Sequence, residues 1–173
     1  MAVRPIVLYP DPVLLRPTQP LERVDDDIRT LVRDMTDTLY AAPGIGLAAN
    51  QIGVSWRVCI VDLSAGERPD SLLVLVNPRV LVATGAQVGE EGCLSFPDIT
   101  IEVERSERVE IEALNLSGAR IEVVGEGLLA RAILHECEHL DGQVFLRNVS
   151  ALRREILRRQ IRKRIEAGTW NAA

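Results

Sequence analysis

The sequence predicts an α+β fold: antiparallel or mixed β-sheets wrapped around a central helix that carries an HExxH motif, with one helix before it and one after. Three observations predict this. Between residues 101 and 124, apolar residues (Ile101, Val103, Val109, Ile111, Ala113, Ile121, Val123) alternate with Glu and Arg, the pattern of half-exposed antiparallel strands. Residues 126–140 repeat instead with helical spacing and contain His135-Glu136-Cys137-Glu138-His139. Stretches 28–39 and 150–166 carry the same helical period on either side.

In chain order, residues 1–24 hold Pro5, Pro10, Pro12, Pro17 and Pro20 and are expected to form an extended, wrapping arm. Asp25 to Asp27 make an acidic helix start, Ile28, Leu31, Val32, Met35 and Leu39 follow as its apolar stripe, and the helix should end before Pro43. Residues 44–53 (GIGLAANQIG) form a glycine-punctuated loop, and strands are expected at 56–63 and 72–76, with shorter ones near 79–83 and 86–89. Ser117-Gly118 should turn the chain within the alternating stretch. The helix from Glu126 to Leu140 should pack through Leu128, Leu129, Ala132 and Ile133 and stop before Gly142. Ser150 can cap a last helix running to about Glu166, with Leu157, Ile161 and Ile165 as a stripe while Leu152, Ile156, Gln160 and Lys163 drift round it.

The 173 residues suit one domain, 1–173, large enough to bury a real core. With 47% hydrophobic but only 3% aromatic residues, that core must be mostly Val, Leu, Ile and Ala. The net charge of −5 rules out a DNA-binding field over the whole surface. The charge is uneven, though: residues 147–166 hold eight basic and two acidic residues, a local +6 that leaves −11 elsewhere. Three cysteines and an N-terminus (MAVRPIVLYPDP) without an apolar leader core point to a reducing compartment, the cytoplasm. No run approaches 18 apolar residues, so no membrane span is expected.

His135 and His139 are the only histidines. Four apart on a helix, they share a face with Cβ atoms about 6 Å apart and can meet at one metal ion. Glu136 sits about 100° round the helix, beside that ion and placed to handle a proton of bound water. A catalytic ion usually takes three protein ligands. With no third histidine, a carboxylate or a thiolate must serve, and Cys93 is best placed, in Glu91-Gly92-Cys93-Leu94-Ser95 before Pro97. Cys59 lies in a strand-like run and reads as core, while Cys137 points about 200° away from His135.

Gly44-Ile45-Gly46-Leu47-Ala48-Ala49-Asn50-Gln51, Glu91-Gly92-Cys93-Leu94-Ser95 and His135-Glu136-Cys137-Glu138-His139-Leu140 resemble, in order and spacing, the three signature motifs of the bacterial peptide deformylases. Tyr9-Pro10-Asp11-Pro12-Val13-Leu14 resembles that family's start, so the likeness covers about residues 5–150. The resemblance implies a single catalytic domain that removes the formyl group from the N-terminal formyl-methionine of new polypeptides. It implies a metal held by Cys93, His135 and His139, one per chain: usually Fe²⁺, with Zn²⁺, Ni²⁺ or Co²⁺ able to replace it. It implies Glu136 as the proton carrier, with the Gln51 amide and the Leu94 N–H as donors to the developing oxyanion. Glu91 is implied behind the metal or near the substrate. Gly44 and Gly46 are implied where substrate backbone pairs as an added strand, and Ile45, Gly89, Leu128, Ala132 and the His135 ring around the methionine side chain. The chain departs from the family at Glu138, where Asp is usual, at Asn50, where Pro, Ser or Thr is common, and at Thr100, where many members have Arg.

An ordinary HExxH metallopeptidase would take His or Glu as its third ligand, and an inactive binder would often have lost Glu136, Gln51 or Cys93; all three are present. Helix 150–166 reads first as a solvated basic face over a packing stripe, and second as a contact with ribosomal RNA near emerging chains. A membrane surface fits less well, because no bulky aromatic anchors the stripe.

Overall fold

In a computed structural model of the protein, residues 2–68 and 70–171 are described. Met1, Pro69, Ala172 and Ala173, part of the span 1–173 expected as one domain, lie outside the described residues. The fold is α+β, as expected. The arm, broken by a 3-10 turn over Pro12–Leu15 and buried at Tyr9, Leu14 and Thr18, leads to α1 (Asp26–Ala41), whose first turn is capped by the Asp25 side chain accepting from the Ile28 N–H at 3.1 Å. Ile28, Leu31, Val32, Met35 and Leu39 of α1 are all buried, as their spacing predicts. Each such side chain removed from water contributes about 1.5–3 kcal/mol.

The stretch expected as a plain loop contains a short strand, β1 (Gly46–Ala48), and a 3-10 turn over Ala49–Ile52. β1 pairs antiparallel with β2 (Val58–Val61), and β2 with β3 (Leu73–Thr84). Two separate strands were expected where β3 runs unbroken through Asn77-Pro78. The register shifts there, between Val76 and Arg79, so the missing proline N–H falls at an irregularity in the ladder. Asn77 adopts a left-handed φ of 51° and exchanges hydrogen bonds with the backbone of Leu21, fastening the arm to the sheet.

The alternating stretch 101–124 is three strands, and they do not share one sheet. β5 (Thr100–Arg105) pairs with β4 (Gln87–Gly92) as a two-stranded sheet, whereas β6 (Arg108–Leu114) joins β3 and β7 (Arg120–Glu126). The larger sheet therefore runs β1-β2-β3-β6-β7. α2 (Gly127–Leu140) packs on β1, β2, β6 and β7. Ala130, Ile133, Cys137 and Leu140 meet Ala48, Cys59, Leu75, Val109 and Ile111 in one core. Leu128 corrects the expected packing side of α2: it is 53% exposed and does not join that core.

α3 (Ala151–Glu166) begins at Ser150, whose hydroxyl accepts from the Arg153 N–H. Its expected stripe packs only in part. Ile161 is buried and Leu157 half-buried, but Ile165 is exposed. The chain end is fastened by Trp170, whose Nε1–H donates to the Tyr9 carbonyl at 2.6 Å and whose ring meets Phe96 edge-on. Among the described residues, no helix is long and apolar enough to cross a membrane.

Candidate metal centre and active site

α2 supplies both histidines on one face, with ring centroids 5.0 Å apart. β4 runs through Glu91 and Gly92 into Cys93, where a turn closes with the Phe96 N–H donating to the Cys93 carbonyl at 2.8 Å. The turn aims the thiol at the helix, and Cys93 Sγ lies 3.2 Å from His139 Nε2. The sulfur and one nitrogen from each imidazole all lie within 4.8 Å of one another. One thiolate and two imidazoles suit a first-row divalent ion and leave a coordination position open, so these residues fit a metal. Cys59 and Cys137 sit apart from this cluster, buried in the core behind α2.

Glu91 lies behind His135 and is buried. Its Oε2 accepts from His135 Nδ1–H at 2.9 Å, which turns Nε2 of that ring toward the cluster. Arg105 grips the same carboxylate through Nε at 2.5 Å and Nη2 at 2.9 Å, and Arg131 through Nη1 at 2.7 Å. Burial opposes the Glu91 charge, but His135 and Arg105 outweigh it and hold its pKa down at about 2. Burial also works against a charge on His135, yet Cys93 and Glu91 beside it draw its pKa well up, whereas burial and the His135 charge push His139 down.

Glu136 projects beside the cluster. Its Oε2 is buried without a hydrogen-bond partner among the described residues, and burial pushes its carboxyl up to about 7. The carboxylate packs on Gly46, where a β-carbon would come within 2.5 Å of Oε1. A side chain at Gly46 would therefore displace the Glu136 carboxylate from this position. Gln51 is held by its own Oε1, which accepts from the Ala48 N–H at 2.8 Å, so its Nε2 faces Ser95 Oγ at 3.3 Å and Cys93 Sγ at 3.6 Å. The Leu94 N–H has no partner among the described residues.

A cavity of about 410 Å³ opens over these groups. Gly44, Ile45, Gly46, Gln51, Glu91, Cys93, Leu94, Leu128, Ala132, His135 and Glu136 all line it, as does Thr100. The exposure of Leu128 follows from its place on this wall. Gly89, expected beside the methionine pocket, does not line the cavity: the Arg131 guanidinium covers it, with Nη2 3.2 Å from where a β-carbon would stand. β1 is the edge of the large sheet, and its first residue, Gly46, lines the cavity together with Gly44 and Ile45 just before it.

Sequence reasoning missed Arg105 and Arg131, and the signals were available. Arg105 is in phase with the inward Ile101 and Val103, and Arg131 precedes His135 by one helical turn. Glu138 reaches Arg105 Nη1 at 2.9 Å and Asn148 Nδ2 at 3.0 Å, and buried Asn50 donates to the His139 carbonyl at 2.6 Å.

Residues 3–155 match the family described as polypeptide deformylase. A peptide deformylase from Acidobacterium capsulatum is 50% identical over 98% of this chain and 100% of its own. A crystal structure of a peptide deformylase from Legionella pneumophila superposes with a TM-score of 0.87 at 40% identity, covering 96% of this chain and 98% of the other. One from Ehrlichia chaffeensis, in complex with actinonin, superposes with a TM-score of 0.86 at 32% identity over 95% of this chain and 98% of the other.

Proposed function

The chain belongs to the polypeptide deformylase family of enzymes, and on that premise we propose that it removes the N-formyl group from the N-terminal formyl-methionine of newly made polypeptides, releasing formate. One observation carries the reading: an unpartnered, buried Glu136 oxygen stands beside a thiol and two imidazoles, with Glu136, Cys93 and His135 at the wall of one cavity. Cys93, His135 and His139 would hold one divalent ion per chain, Fe²⁺ or in its place Zn²⁺, Ni²⁺ or Co²⁺, which when bound supplies Lewis acidity toward water and carbonyl oxygen.

The chain's own groups do the rest. Glu136, with its pKa raised to about 7, takes the proton of the attacking water at its carboxylate and returns it to the leaving amine. Gln51 Nε2–H and the Leu94 N–H donate to the formyl oxygen as it gains charge. Backbone of the substrate pairs along the free edge of β1 at Gly44, Ile45 and Gly46. Ile45, Leu128, Ala132 and the His135 ring receive the methionine side chain. Glu91 acts through His135 and not on the substrate. Residues 1–173 work as one catalytic domain, in the cytoplasm, on nascent chains.

The deciding experiment measures formate release from a formyl-Met tripeptide by protein purified without oxygen and loaded with Fe²⁺, beside Glu136→Ala. Turnover by the parent and loss in the variant are expected. No turnover with one ion bound per chain would overturn the reading.

Contact with the ribosome through α3 is a second proposal. It is favoured by Arg153, Arg158, Arg162 and Lys163, whose side chains have no acidic partner among the described residues. Ribosome affinity should fall steeply with salt. Binding that survives removal of residues 150–173 would refute it.

A further inference from the structure

We propose that Arg131 is a positioning residue that joins the strand delivering Cys93 to the helix delivering both histidines, and so sets how tightly the metal is held; this rests on the metal reading above. Arg131 lies on α2 one turn before His135 and is 6% exposed. A guanidinium that deep needs acceptors for its donors, and it finds them across both strands of the small sheet. Nη1 reaches Glu91 Oε1 at 2.7 Å, the Val103 carbonyl at 3.1 Å and the Gly89 carbonyl at 3.3 Å, and Nη2 reaches the Gln87 carbonyl at 3.3 Å.

Arg105, from β5 of the same small sheet, also reaches α2, at Glu138 beside His139, whereas Arg131 makes the link from the turn before His135. Arg131 starts on the helix and ends on β4 and β5. It therefore acts on two spacings together: that between Glu91 and His135, and that between Cys93 at the end of β4 and the histidines of α2. Glu91 alone could turn away from His135. With Arg131 and Arg105 Nε both bonded to Oε1 and Arg105 Nη2 to Oε2, its carboxylate is held in the orientation that presents Oε2 to His135. Gly89 is the other half of the device. A side chain there would displace Nη2, which has little room to yield because Nη1 is held by three acceptors.

The test uses Arg131→Met, Arg131→Lys and Gly89→Ala in the full chain. Each is stripped of metal and titrated with Co²⁺ alone against a competing chelator, while the thiolate–cobalt absorption band is recorded. All three should bind Co²⁺ more weakly, Arg131→Met by about tenfold to a hundredfold, the range seen when a group behind a metal ligand is lost. The cobalt band should shift, and KM for formyl-Met peptides should change little. Lysine should recover only part of the affinity, because a single ammonium cannot span four acceptors. Should Arg131→Met fail to fold, the milder Arg131→Lys and Gly89→Ala carry the test. Parent-like Co²⁺ affinity and spectrum in folded variants would overturn the inference, as would a raised KM with unchanged affinity, which would make Arg131 a substrate contact. A parent that binds no Co²⁺ would instead sink the metal reading itself.

Discussion

A β-carbon on Gly46 would lie 2.5 Å from Oε1 of Glu136, so the first strand of the large sheet and the Glu136 side chain of α2 are fitted to each other. Gly46→Ala should push the carboxylate away from the cluster. We expect kcat to fall by about a hundredfold or more, the low end of what a placed acid–base group supplies, with metal content near that of the parent. Formate release and metal analysis on the same preparation check this, and parent-like kcat would refute it.

Gln51 is oriented by the Ala48 N–H, which takes its Oε1 and leaves Nε2 pointing at the cluster. Gln51→Ala should lower kcat by about 10²–10³-fold while KM changes far less, as for loss of a donor to a developing oxyanion. A rise in KM with kcat intact would assign Gln51 to substrate binding.

Glu138 touches both Arg105 and Asn148. A shorter Asp cannot reach both partners. Glu138→Asp should cost about 1 kcal/mol of stability in urea unfolding, near the usual worth of one hydrogen bond, with activity within a few-fold of the parent. Asn148→Ala should cost a similar amount in the parent background and almost nothing beside Glu138→Asp. Additive losses would show that the two residues do not act together.

Asp62 is buried and accepts from Tyr40 Oη at 2.7 Å, from Ser64 and Ser71, and from the Gly66 N–H. Burial opposes its charge, but the bonds from Ser71, Tyr40 and Ser64 prevail and hold its carboxyl well below the usual range. A carboxyl depressed on folding stabilises the protein above its unfolded pKa of about 4, and that stability drains away as pH falls below it. Asp62→Asn should therefore be less stable than the parent at pH 7 and lose less of its stability between pH 5 and pH 3. Unfolding by denaturant across that range measures it, and parallel pH profiles would refute it.

The sequence by itself determined the α+β class, the helices near their observed bounds, and Cys93, His135 and His139 as the candidate metal cluster. Those features rest on short-range spacing: i to i+4 on α2, helical stripes on α1 and α2, and a cysteine before a turn. Tertiary structure alone decided the rest. Alternation is the same whichever sheet a strand joins, so only long-range pairing separated β5 from β6. Leu128 has the spacing of a core residue and became a cavity wall because no element packs over it. Arg105 and Arg131 hold inward-facing phases in the sequence, but nothing local in it names partners for their charges. They are buried because Glu91, Glu138 and the carbonyls of two strands converge on them, and acceptors brought together from β4, β5 and α2 exist only once the chain has folded.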